Sequence, residues 1–171
     1  MRYIAQNDEV FYTDQQVVEV GPEQIRFLKA QAAVNRRRRA RLCVHPDTAD
    51  ALHEMLIVHT GGGYVRPHKH LGKGESFHMV EGRMKVILFD DQGNHTQTVE
   101  LGAPDTGRHF YYRLSAPMFH SIYAESETVV FHEVTNGPFN PAECIFAPWA
   151  PQEDAPEELL QEFYDRLNLN N

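Results

Sequence analysis

Residues 62–82 read GGYVRPHKHLGKGESFHMVEG, and the fold of the whole chain hangs on how they are read. His68, His70 and Glu75 fall within eight positions, and the stretch closes on Gly82. Successive side chains of an extended strand point to opposite faces, so a His-x-His pair presents both imidazoles on one side. Leu71-Gly72-Lys73-Gly74 supplies turn residues that send the chain back and bring Glu75 opposite the pair. Two nitrogens and a carboxylate oxygen converging in this way suit a divalent transition metal and leave coordination positions open. One more imidazole would complete such a site.

Working outward, β-type runs recur at short intervals, at 53–58, 75–80, 84–89, 96–101, 110–114, 119–124 and 128–134. Turn signals such as Asp91-Gln92-Gly93-Asn94 and Ala124-Glu125-Ser126-Glu127 separate them. Short strands at this spacing predict an all-β sandwich or barrel. Upstream, residues 16–20 read as a lead-in strand. Gly21-Pro22 then opens a helix over 22–35 with Ile25, Leu28 and Ala32 on one stripe. Prolines break up residues 137–156, where Phe139, Phe146 and Trp149 offer apolar anchors for an ordered wrap. A closing helix over 155–168 carries Leu159, Leu160, Phe163 and Leu167 at helical spacing. The expectation is a single domain over 1–171, with the barrel at about 36–148.

The missing imidazole is assigned to His120, because Pro117-Met118-Phe119-His120 leads into a strand on which His120, Ile122 and Ala124 share a face. At this point the chain resembles the cupin superfamily, whose first motif is G-x5-H-x-H-x4-E-x6-G. Gly62, His68, His70, Glu75 and Gly82 meet every spacing of it. The second motif, P-x-G-x2-H-x3-N, survives only as Pro117 and His120, with Phe119 in the stretch where its glycine belongs. The run Tyr64-x2-Pro67-His68-Lys69-His70-x2-Lys73-x-Glu75-Ser76 is similar to the WbuC-type cupin metalloproteins. So are Leu88-Phe89-Asp90, Gly137-Pro138-Phe139 and Phe146-Ala147-Pro148-Trp149-Ala150-Pro151, and together they extend the resemblance over most of 36–153. The resemblance implies a cupin double-stranded β-helix, a jelly roll flanked by N- and C-terminal helices. It also implies one divalent metal (Fe, Mn, Ni or Zn) on His68, His70, Glu75 and His120. Such proteins are similar to products found with bacterial surface-polysaccharide genes, and no reaction comes with the resemblance.

Composition narrows the partners. With 16 Lys and Arg against 24 Asp and Glu, the formal charge is −8 and the pI about 5.6, which argues against a nucleic-acid or membrane surface. A small-molecule ligand fits better, and a homodimer is left open. Cys43 and Cys144 form no CxxC pair, and neither a signal core nor a membrane-length apolar run is present, so the cytoplasm is the expected compartment.

One basic run, 36–39 with Arg41, interrupts the acidic chain. From Arg39 onward Ala40, Leu42 and Val44 alternate with Arg39, Arg41, Cys43 and His45, so a strand here has an apolar and a cationic face. If the cationic face is wet it is ordinary surface. If it lines the barrel mouth, Arg39, Arg41 and His45 form a substrate site for an anionic group, an acidic sugar or sugar nucleotide fitting best. Glu133 and Tyr112 are possible pocket residues, but a strand carboxylate or tyrosine is more often structural or exposed, and neither joins the catalytic list. The functions that remain are a metal-dependent isomerase, lyase or hydrolase on a sugar-like molecule, a non-catalytic sugar-binding module, and an iron-dependent dioxygenase. No general acid or base stands out.

Overall fold

Strands and helices follow the chain as β1 (Ile4–Ala5), β2 (Val10–Tyr12), α1 (Pro22–Val34), β3 (Arg39–Cys43), β4 (Leu52–Thr60), β5 (His68–His70), β6 (Glu75–Glu81), β7 (Arg83–Phe89), β8 (His95–Gly102), β9 (Tyr111–Leu114), β10 (Phe119–Ala124), β11 (Thr128–Asn136), β12 (Cys144–Phe146) and α2 (Glu157–Arg166). The structure is a computed structural model and describes residues 1–167. Seven strands form one sheet in the order β1-β2-β3-β4-β11-β6-β9, and five form a second in the order β12-β5-β10-β7-β8. From β4 to β7 each strand lies in the opposite sheet from the one before it, and the same holds from β8 to β12. Among the described residues, the strands pair antiparallel throughout except β2 with β3. This winding is the jelly roll the motif implied.

The sequence dictates which faces are buried. Phe77 and Met79 of β6, Met84 and Val86 of β7, and Val129 and Phe131 of β11 interdigitate between the sheets. Outer faces are covered too, which is why β7 reads almost continuously apolar. Ile87 and Phe89 turn outward and pack under Ala147, Phe163 and Tyr164 of the C-terminal wrap and α2. On the other sheet, Ala40 and Leu42 of β3 and Val58 of β4 pack against Leu28 and Ala32 of α1. Leu28 is fully buried, a change worth about 1.5–3 kcal/mol relative to an exposed leucine. Pro22 starts α1, and the Gln24 side chain accepts the Gly21 N–H at 2.9 Å, one of the helix's orphan donors.

Gly82 makes the tight passage from β6 to β7. Its φ is +78°, and a Cβ there would sit 2.3 Å from the carbonyl oxygen of Thr128, so a side chain is excluded on both counts.

Two local expectations change. Residues 16–20 are not a strand; Val17 is 78% exposed and has nothing to pack against. Instead Val10 and Phe11, both buried, form β2 beside β3. In α2 the buried stripe is Leu160, Phe163 and Tyr164, while Leu159 faces out; the expected end of this helix at 168 lies outside the described residues. No helix is long and apolar enough to cross a membrane, among the described residues.

Candidate metal centre and cavity

The turn after His70 folds β5 and β6 as the local sequence requires, but the two strands lie in opposite sheets, so Glu75 approaches the histidines from across the barrel. His120 is paired in register with His68 through β10 and β5. His68, His70 and His120 bring one ring nitrogen each within 4.8 Å of one another. Glu75 completes the cluster, with Oε1 3.0 Å from His120 Nε2 and Oε2 3.6 Å from His70 Nε2.

The outer ring nitrogens orient two imidazoles. His68 Nδ1 lies 2.9 Å from the Arg66 carbonyl oxygen and His120 Nδ1 3.0 Å from that of Met118. A carbonyl can only accept, so each Nδ1 carries the proton and each Nε2 is free to ligate. Burial, reinforced by the neighbouring His120 and His70, pushes His68 down to about 3, and burial lowers His70 as well. For His120, burial acts in the same direction, but Glu75 outweighs it and the net shift is upward. Burial would raise Glu75, yet His120, His68 and His70 hold it below the usual carboxylate range.

Glu75 is 4% exposed, and its Oε1 has no hydrogen-bond partner despite the nearby His120 Nε2. The short distance and the missing bond are compatible, because in a neutral His120 whose Nδ1–H donates to the Met118 carbonyl oxygen, Nε2 carries no proton and faces Oε1 with a lone pair. An orphaned buried carboxylate oxygen set among imidazole lone pairs is costly, and a divalent cation relieves it. The donor set therefore fits a transition metal of the borderline class.

The cluster forms one wall of a cavity of about 380 Å³. Alternation carries the inner faces of four strands into it: Arg39 and Arg41 from β3, Met55 and His59 from β4, Phe77 from β6, Glu133 from β11. This settles the two-sided strand. Its apolar face lies under α1, and Arg39 and Arg41 of its cationic face line the cavity. Arg41 takes a more exposed position on that wall. His45 is absent from it. The strand ends at Cys43, so the alternation no longer governs residue 45, and the His45 ring stacks on His53 at 4.2 Å with Nδ1 3.0 Å from the Glu54 carbonyl oxygen. Cys43 is buried in the core between the sheets.

Two cavity acids, Glu9 and Glu153, escaped the sequence reading, and a third, Glu133, was weighed there as a possible pocket residue and left off the catalytic list. Arg37 and Arg39 share two carboxylates: Arg37 reaches Glu9 and Glu153 at 2.5 Å each, and Arg39 reaches Glu153 at 3.0 Å and Glu9 at 3.5 Å. Burial opposes ionisation of both acids, but the two guanidiniums prevail and hold Glu9 and Glu153 below their usual range. Glu133 lies opposite Phe77 of β6 in the strand register, two residue pairs along from Thr135 and Glu75 and so on the same face. Burial first, and then the charge of Glu75, push Glu133 up to about 7, against the pull of Arg41 and His120. Only the pairing of β11 with β6 brings Glu133 beside the motif, and no local pattern signals that.

A family model described as a domain of unknown function (DUF6016) matches residues 21–101, which include His68, His70 and Glu75 but not His120. No curated protein matches in sequence. Among solved structures, the capsular polysaccharide assembling protein CapF from Staphylococcus aureus is similar at 17% identity and a TM-score of 0.52, covering 66% of this chain and 32% of CapF. CapF with the inhibitor 3-isopropenyl-tropolone gives 20% identity and 0.51, over 66% of this chain and 33% of CapF. The Cnp3 cupin domain of Schizosaccharomyces pombe is similar at 12% identity and a TM-score of 0.46, over 61% of this chain and 69% of that domain. The chain thus spans about a third of CapF. Strand order, inter-sheet winding and the likeness to CapF agree that the chain has the cupin jelly-roll fold.

Proposed function

We propose that this protein is a metal-dependent enzyme of isomerase, lyase or hydrolase type acting on a small sugar-like molecule. His68, His70, Glu75 and His120 would hold one divalent transition metal, which when bound polarises a substrate oxygen as a Lewis acid. The observation that carries an enzyme over a passive binding module is Glu133. A carboxyl group held near 7 can both take and give a proton at neutral pH, and it lines the same cavity as the metal-ready cluster. In an isomerisation Glu133 removes a proton from one substrate atom and returns it to another. In an elimination it removes a C–H proton as the bond to the departing oxygen breaks. Arg41 binds and orients from the rim, while Phe77, Met55 and Ile57 keep the inner wall apolar. The WbuC-type resemblance supports a substrate from surface-polysaccharide biosynthesis, and CapF, whose fold this chain shares, is itself described as a capsular polysaccharide assembling protein.

The test is incubation of metal-reconstituted protein with sugar acids and sugar nucleotides in D2O, followed by NMR. Turnover or solvent deuterium at a substrate carbon is expected, and Glu133→Gln should lose it while keeping metal content. Undiminished exchange in Glu133→Gln would remove the residue from the chemistry, and no exchange with any compound would favour the binding module.

A further inference from the structure

The charges around the cavity fall into those already neutralised and those that are not. Arg37 and Arg39 are matched by Glu9 and Glu153. Lys73 donates to the Pro138 carbonyl oxygen at 2.7 Å and lies 3.6 Å from Glu143. Arg41 has no side-chain hydrogen bond or ion pair among the described residues, although it is near enough to Glu133 to act on its charge. One guanidinium fork is therefore open, and Glu133 faces the same space from a neighbouring part of the wall.

Size and shape add two further constraints. At about 380 Å³ the cavity is near the lower end of small-molecule sites, which run from roughly 300 to 1,000 Å³. That is room for one sugar ring, and the cavity opens to solvent beyond it. Phe139 and Phe146 also line it with about half their surface exposed, at 56% and 47%, so two aromatic rings stand where the cavity meets solvent. Rings in that position suit the C–H face of a pyranose, which is apolar where its hydroxyls are not.

We infer that the ligand is a monosaccharide-sized carboxylic acid, a uronic or aldonic acid, with its carboxylate on Arg41, its C–H face against Phe139 and Phe146, and a hydroxyl hydrogen-bonded to Glu133. A planar carboxylate matches a guanidinium fork with two parallel bonds, and a single open fork matches a single negative charge. The inference rests on the metal-and-cavity reading above and narrows it to a substrate class.

Calorimetric titration of the metal-loaded protein tests it, with D-glucuronate, D-galacturonate, D-gluconate, D-glucose, glucose 6-phosphate and UDP-glucuronate as probes. At least one of the three acids should bind roughly tenfold or more tighter than D-glucose, the value of a charge-assisted hydrogen bond. Glucose 6-phosphate and UDP-glucuronate should both bind more weakly than that acid. Arg41→Gln should abolish the acid preference with metal content and melting temperature unchanged. Equal binding of acid and neutral sugar, an acid preference that survives Arg41→Gln, or tightest binding of UDP-glucuronate would each overturn the inference while leaving the metal site intact. Failure of the wild-type protein to retain stoichiometric metal would instead sink the reading beneath it.

Discussion

Gly72 and Gly82 have nearly the same backbone conformation, φ +71° and +78°, and nearly opposite surroundings. A Cβ on Gly72 would meet nothing within 4 Å, whereas one on Gly82 would lie 2.3 Å from the Thr128 carbonyl oxygen and 3.2 Å from Ser126 Cβ. Alanine at either position incurs the left-handed penalty, about 1–2 kcal/mol. At Gly82 the added methyl also meets backbone that cannot swing aside, because Thr128 is paired with Thr60 at the start of β11. Overpacking of this kind costs about a further 1–3 kcal/mol. Urea unfolding followed by the fluorescence of Trp149, the single tryptophan, should therefore show Gly82→Ala losing about 2–5 kcal/mol and Gly72→Ala only about 1–2 kcal/mol. Trp149 suits the purpose because it packs on Phe89 and Phe119 at ring distances of 5.1 and 5.7 Å and reports on the assembled sheet. Equal losses in the two variants would mean that the motif's last glycine serves conformation alone and that the close approach of β11 is not what demands it.

Other outcomes are expected on the same physical grounds. His68→Ala and His70→Ala should each lose stoichiometric metal after dialysis, measured by elemental analysis, while His78→Ala, exposed on the opposite face of β6, should retain it. Glu9 and Glu153 have folded-state pKa values below the ordinary 4.5, so their ion pairs stabilise the fold above that pH and are lost as the pH falls through the lowered values. Melting temperature should be level with respect to this cluster above about 5 and drop below 4.5, and Glu153→Gln should make the drop shallower; an identical acid profile in that variant would exclude the cluster as its source. Tyr164→Phe removes a hydroxyl that donates to the Ile122 carbonyl oxygen at 3.0 Å and accepts the buried Val65 N–H at 3.2 Å. Leaving that N–H unpaired should cost about 1–3 kcal/mol in chemical denaturation, and a neutral result would imply that water replaces the hydroxyl.

What was legible in the sequence follows the range of the interactions involved. The cupin jelly roll could be read because His68, His70, Glu75 and Gly82 are fixed by one strand-turn-strand unit, whose spacing is set by local geometry. His120 needed only the alternation of its own strand. Which face of β3 points inward could not be read, because the answer depends on where α1 packs; the apolar face lies under that helix, and the cationic face lines the cavity with Arg41 still exposed. His45 was placed with Arg39 and Arg41 by extending an alternation past the end of its strand. Glu133 is the most instructive case, a possible pocket residue that the sequence could not promote: His132 and Glu133 are equally polar neighbours on β11, and only the pairing of that strand with β6 and β4 decides which one enters the cavity. The lead-in strand was read over residues 16–20, but Val17 is left exposed there and propensity alone does not make a strand.

The contact of Glu153 with Arg37 and Arg39 reaches from the C-terminal wrap back to the cavity wall, and with Glu9 it decides what the cavity refuses. Two guanidiniums and two carboxylates held together present almost no net field to an incoming molecule, so Arg41 is left as the open guanidinium on that wall. Without those two acids the same wall would attract phosphates and nucleotides, which are abundant and multiply charged, ahead of a singly charged sugar acid. Glu9 and Glu153 would thus filter ligands by charge from a part of the wall other than the histidine cluster, and acid would open that filter by protonating them.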